Sequence, residues 1–203
     1  MTYGQFYQLN QLNSPESHFL ITTDTAGLLG FAGHRHAILA AEWEAELILD
    51  PENLAGSSIR ISVQTDSLIL DSERAYRLAG FTKKIPPEEA RLATLERIRG
   101  PDILNVTQNP TLRFVSADAE IMPTEEKGIT AVMIAGDLQL RGDLSPAVPV
   151  ELTVLVERRI DRIVFDGAIE VLQSDFGIQP FSLAGVVRVK DQIRLTWHLE
   201  LPL

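Results

Sequence analysis

The chain has 203 residues, 45% of them apolar and none of them cysteine. One domain of this size buries a sizeable core without staples, and disulfides, thiolate nucleophiles, Cys-ligated zinc and iron–sulfur clusters are excluded. Acidic residues number 28 against 18 basic ones, a formal charge of −10, and no Lys/Arg stripe offsets it, so nucleic acid is not an expected partner.

The first residues, MTYGQFYQLNQLNSPES, hold neither a basic start nor an apolar run of about 7–15 residues, so no signal peptide is read and a cytoplasmic location is expected. No window reaches the roughly 18 apolar residues of a bilayer-spanning helix, so no membrane span is expected. The dominant period along the chain is two, as half-buried strands require. Leu39, Ala41, Trp43, Ala45, Leu47 and Leu49 share one face, and Glu42, Glu44 and Glu46 share the other. That pattern predicts one strand facing both core and water, stopped by Asp50-Pro51-Glu52-Asn53. Ile59, Ile61 and Val63 mark the next.

Residues 71–100 carry helix signals instead. Pro86-Pro87 precedes Glu88 and Glu89, where the first-turn amides favour acids. Leu92, Leu95 and Ile98 recur every three residues, Arg97 and Arg99 occupy the last turn, and Gly100-Pro101 ends it. A shorter helix is read over Asp71 to Ala79.

Alternation then resumes in Thr111 to Met122 and its hairpin partner Ile129 to Leu140. Val148, Val150, Leu152, Val154 and Val156 share a face. Arg159-Ile160-Asp161-Arg162 forms the next turn, and Ile163, Phe165, Gly167, Ile169 and Val171 continue. A turn at Lys190-Asp191 leads into Ile193, Leu195, Trp197, Leu199 and Leu201. The expected fold is all-β and mainly antiparallel: one domain over residues 1–203, an up-and-down barrel of about eight strands with a helical insertion around 71–100. Such a barrel encloses either packed side chains or one small ligand. Its expected lining includes Trp43, Leu39, Ala41, Phe114, Phe165, Leu195 and Trp197.

Two segments are candidates for polar chemistry. In Gly33-His34-Arg35-His36 the histidines lie two apart, on one side of an extended chain. They could bond backbone or water, contact a ligand head group, or supply half of a metal shell. If the strand runs unbroken, both share the outward face of Glu42, and only a bend around Ile38 to Ala40 aims them inward. Gln173-Ser174-Asp175-Phe176-Gly177-Ile178 reads as a strand end, a turn at Gly177 and an apolar anchor, since no other kinase motif accompanies Asp-Phe-Gly. There is no Gly-x-Ser-x-Gly elbow and no phosphate-cradling loop. No catalytic residue and no cofactor is assigned.

Taken in order, Gly33-His34-Arg35-His36, Asp50-Pro51-Glu52-Asn53, Asn109-Pro110-Thr111-Leu112-Arg113-Phe114, Gly136-Asp137-Leu138-Gln139-Leu140-Arg141-Gly142, Ser174-Asp175-Phe176-Gly177-Ile178 and Val189-Lys190-Asp191 resemble the YceI-like family, over roughly Glu16 to Leu201. Members with a Gly-His-x-His segment often carry an acid where this chain has Arg35. The resemblance implies a lipocalin-like barrel that holds a polyisoprenoid or isoprenoid quinone without catalysis. The lipid's head group is then expected near His34, Arg35, His36 and Asp175. Two other readings stay open: a metal- or histidine-dependent enzyme acting on a small apolar substrate, resting on His34 and His36, and a ligandless interaction module. Edge strands leave room for a homodimer.

Overall fold

The computed structural model describes residues 4–26, 34–50, 53–142, 146–183 and 187–203. They form one 12-stranded antiparallel sheet and two helices. In chain order these are β1 (Gln5–Asn10), β2 (His18–Ala26), β3 (His36–Ala40), β4 (Trp43–Leu49), β5 (Ser58–Gln64), β6 (Leu68–Leu70), α1 (Glu73–Leu78) and α2 (Glu88–Arg99). They continue with β7 (Thr111–Met122), β8 (Ile129–Gln139), β9 (Val148–Arg158), β10 (Arg162–Leu172), β11 (Ser182–Leu183) and β12 (Val187–Pro202).

The pairing runs β5-β7-β8-β9-β10-β12-β2-β3, and β3 continues into β4, which pairs back onto β5. The ladder therefore returns on itself. The strand number exceeds the expected eight because three neighbouring ribbons each break at the same level. β1 and β2 are separated by residues 11–17, β3 and β4 by Ala41 and Glu42, and β5 and β6 by a 3-10 turn over Thr65–Ser67. Joined across their breaks, and with the two-residue β11 set aside as a side pairing on β12, they leave eight ribbons around the barrel.

The break between β3 and β4 corrects the single strand expected over Leu39–Leu49. Distant partners hold it. Glu42 N donates to Ser67 Oγ (2.9 Å), Trp43 N to Gln11 Oε1 (3.2 Å), and Gln64 N to Glu42 O (3.0 Å). The inward parity switches there from Ile38 and Ala40 to Trp43, Ala45, Leu47 and Leu49. Leu39 is thrown to the other face, where it packs with Leu20, Ala37, Ala75 and Tyr76 beneath α1.

Two N-terminal strands went unread in the sequence. β1 buries one hydrophobic residue, Leu9, and β2 is covered on both faces, so neither shows clean alternation. The expected turn at Lys190-Asp191 is instead a bulge inside β12, with the register to β2 shifting between Val189 and Ile193. Asp191 holds it by accepting from Ser174 N (2.9 Å) and Ser174 Oγ (2.6 Å).

Both helices form where the sequence places them. Ser72 Oγ accepts from Ala75 N (3.1 Å) and caps α1. In α2, Leu95 and Ile98 pack on the main core while Leu92 stays exposed. Arginines clip α2 to the barrel: Arg91 donates to Asp71 O (3.3 Å), and Arg99 donates to Asp66 O and Leu68 O. Below it Leu70, Leu104, Val171, Phe176, Ile178 and Ile193 are all buried, so this end of the barrel is solid. Gly177 takes φ +69° after the 3-10 turn at Gln173–Phe176, and the anchor at Ile178 is 2% exposed, as the sequence suggested.

Candidate functional site: an apolar tunnel

Inside the barrel runs a cavity of about 160 Å³, lined almost wholly by hydrocarbon. It begins below the solid end, at Ile38, Leu68 and Leu140, and reaches the β4–β5 turn, where Leu54, Ser57, Ser58 and Ser116 line it. Leu54 and Ser57 there are only half-buried, which marks the mouth. A modest volume touched by all eight ribbons between the solid end and the β4–β5 turn describes a narrow tube rather than a chamber.

Two aromatic–glycine pairs keep that tube open. Trp197 sits opposite Gly167 in the β10–β12 register, and a Cβ built on Gly167 would overlap the indole. Across the barrel, a Cβ on Gly136 would stand 2.7 Å from the Phe114 ring. Each ring thus lies where its neighbour has no side chain, flat against the wall, a device known from β-sheet design as rescue of glycine by an aromatic.

Of the expected lining, Phe114, Phe165, Leu195 and Trp197 do line the tunnel. Trp43 is buried behind it, edge-on to Phe19 at 5.2 Å between ring centroids, and Phe19 itself is a lining residue. Ala41 lies in the bend, and Leu39 faces α1; the parity switch removes both from the tunnel wall. Sequence reasoning missed the lining from the unread β2, Phe19 and Ile21, and the residues at the mouth. Ser57 Oγ accepts from Asp50 N (3.0 Å) and Ser116 Oγ accepts from Ile59 N (2.9 Å). Each hydroxyl still carries its own proton to donate. Serines at a strand start and a bulge give no periodic signal.

The four head-group candidates lie at the solid end, away from the mouth. Gly33 is outside the described residues, and His34 is exposed. Arg35 stacks over the Phe81 ring at 4.2 Å and lies 3.6 Å from Asp24. His36 Nδ1 is 2.7 Å from Oδ2 of the fully buried Asp71, whose Oδ1 accepts from Ala37 N (2.8 Å). Asp175 is exposed on the far side of that end, in the turn after β10. The bend does turn His36 to the side of Ile38, but Asp71 engages it. Among the described residues no group of three or more His, Asp or Glu is arranged to hold a metal ion, and no helix is long and apolar enough to cross a membrane.

The remaining histidines stand on the outer wall. His18 stacks on His198 at 5.4 Å, and His198 is 2.6 Å from Asp166 and 3.4 Å from Glu200. Partial burial, and secondarily the His198 ring, lower the His18 pKa from its ordinary 6.5, against a raising hydrogen bond to Glu16 O. The unfolded chain therefore binds a proton here more readily than the fold does. This contribution is intact above pH 6.5 and fades as pH falls through the depressed folded value. Thermal melts should lose stability as pH falls from 6.5 towards that value, and His18→Gln should flatten the loss. An unchanged slope in the variant would assign it elsewhere.

Residues 15–201 match the family model for a YceI-like domain. Among solved structures, Burkholderia cenocepacia BcnA is 16% identical, with 92% of this chain and 96% of that one covered and a TM-score of 0.65. The Campylobacter jejuni YCEI protein is 13% identical, with 82% and 84% covered and a TM-score of 0.58. A cysteine mutant of it, crystallised with a monobromobimane guest, is 14% identical over the same shares, with a TM-score of 0.57. At such identities these likenesses speak for the fold alone. No curated protein matches the chain. With the family model spanning nearly every ribbon of the barrel, the chain belongs to the YceI-like family.

Proposed function

We propose that this protein is a non-catalytic carrier for one long, thin, apolar molecule of the isoprenoid class, held lengthwise in the tunnel with its polar end at the mouth. The single observation that carries this reading is the narrow hydrocarbon-lined tube, blind at the α2 end and open at the β4–β5 turn. A straight chain with methyl branches is the shape that such a tube accepts. Burying each methylene-sized group contributes about 0.8 kcal/mol, or about 4 kcal/mol per five-carbon unit. An association cost of at least about 4 kcal/mol is thus offset within a few units, without any polar contact.

The tail enters first, because the blind end offers only Ile38, Leu68 and Leu140. The head then meets the Ser57 and Ser116 hydroxyls, which suits a hydrogen-bond acceptor such as a quinone carbonyl. This moves the head group away from His34, Arg35, His36 and Asp175, whose own partners and position leave them outside the tunnel.

The direct test is organic extraction of purified protein followed by mass spectrometry, with loading of a prenylquinone as the second arm. A stoichiometric prenyl lipid is expected in one or both. Ala119, which lines the tunnel just past the β7 bulge, offers a block. Ala119→Trp should leave the circular dichroism unchanged and cut loading on the order of tenfold or more, since a bulky ring stands in the path. Repeated absence of lipid together with failure to load sinks the carrier reading.

A further inference from the structure

We propose that the open end of the barrel docks on a lipid bilayer, so that cargo passes between membrane and tunnel without crossing water. The proposal rests on the carrier reading above and adds the surface through which loading occurs.

Strand register brings the start of β1, the β4–β5 turn, the β7–β8 hairpin and the β9–β10 turn to one end. The pairs Gln5↔Leu49, Ile48↔Ser58, Met122↔Ala131, Ile129↔Glu157 and Ile163↔Arg158 fix it. Exposed apolar side chains collect there. Phe6 is 59% exposed and pairs with Ile48, which also lines the tunnel. Ile121 and Met122 close β7 at 49% and 37% exposure, and Ile160 stands fully out of the β9–β10 turn. Singly scattered apolar side chains are ordinary on a protein surface. These stand at the same end of the barrel as the mouth of a hydrocarbon tunnel, and that shared end identifies the occupant. A long prenyl chain loses its whole hydrophobic stabilisation if it must cross water, so the tunnel has to meet the cargo's own solvent.

Charge points the same way. The tips at 123–128 and 157–162 carry four acids, Glu125, Glu126, Glu157 and Asp161, against four bases, Lys127, Arg158, Arg159 and Arg162. Their sum is zero, while the whole chain carries −10. Glu157 pairs with Arg159 at 2.7 Å and Asp161 with Arg162 at 2.9 Å, so much of that charge is matched within the rim. The β4–β5 turn adds Asp50 and Glu52, so this end sums to −2 and most of the acidic excess lies elsewhere. Neither an anionic bilayer nor a charged protein partner is drawn to it by charge. Insertion of apolar tips into an interface needs no such attraction.

Flotation of the full chain with phosphatidylcholine vesicles, with and without added phosphatidylglycerol, tests this. Wild type should float with both, and added salt should change little. The double variant Ile121→Asp/Ile160→Asp should partition on the order of tenfold more weakly. Leu92→Asp, on α2 at the solid end, should float as wild type. Phe6→Asp carries the same expectation, several-fold, should the double variant not fold. Absence of wild-type flotation overturns docking, and so does equal flotation of the rim variants. It is also overturned if those variants instead abolish a self-association of the vesicle-free protein, which would make a second copy the occupant. Bound prenyl lipid is read separately, by organic extraction and by prenylquinone loading from vesicles: its absence in both with flotation intact sinks the carrier reading, and lipid bound without flotation sinks docking alone.

Discussion

Gly167→Ala should destabilise the barrel by about 1–3 kcal/mol and reduce prenyl loading at least several-fold, because the added methyl takes the place of the Trp197 ring. A Cβ at this position overlaps the indole and stands 2.8 Å from the Thr153 carbonyl of β9. The backbone of a paired strand cannot move aside without breaking the ladder, so the indole moves, and its free direction is into the tunnel. The cost therefore appears in two places, folding and capacity. Trp197→Phe in the same chain should restore part of both, since a smaller ring tolerates the methyl, and a double-mutant cycle would read the coupling. Additive effects in that cycle would mean that ring and glycine do not act together. Gly136 and Phe114 form the same arrangement on the opposite wall.

Asp71→Ala should cost about 3–5 kcal/mol, read by chemical denaturation, without touching the tunnel. Asp71 is fully buried at φ +50° and clamps the start of β3 through both carboxylate oxygens. Its own N–H donates to Ala37 O (2.8 Å), and its carbonyl accepts from Arg91. Alanine leaves the Ala37 N–H buried without an acceptor, about 1–3 kcal/mol. It also removes the partner of His36 and tolerates a left-handed backbone less well than aspartate, about 1–2 kcal/mol. Asp71→Asn keeps one acceptor and tolerates the backbone, so its loss should be nearer 1 kcal/mol. A cost below about 1 kcal/mol for the alanine variant would mean that the clamp is decorative.

Asp71 also shows where sequence reading stops. The sequence places Asp71 at the start of a short helix, yet the helix is capped by Ser72 and Asp71 serves a strand 34 residues earlier. The Gly-His-Arg-His segment stood out as chemistry because its residue types are those of metal and head-group sites. Each described member has a structural placement instead: Arg35 on Phe81, His36 on Asp71, and His34 exposed. The mouth serines were invisible for the opposite reason. Ser57 and Ser116 matter through what is missing around them, the free end of a hydrocarbon tube, and no spacing encodes that.

Where one face met core and the other water, the amino-acid order alone was sufficient. The alternation in Thr111–Met122, Val148–Val156 and Ile193–Leu201, the proline–acid start and arginine-rich end of α2, and the apolar anchor at Ile178 are local, and local rules read them. Tertiary contacts decided the rest. Side chains from Gln11 and Ser67 hold a bend at Glu42 that reverses parity, sending Leu39 outward and Ile38 inward. Aromatic rings seated on Gly136 and Gly167 leave a hollow where the same hydrocarbon could have packed solid. Alternation tells which side chains turn from water, but whether they meet each other or a space depends on how the ribbons close, and that is a property of the whole barrel.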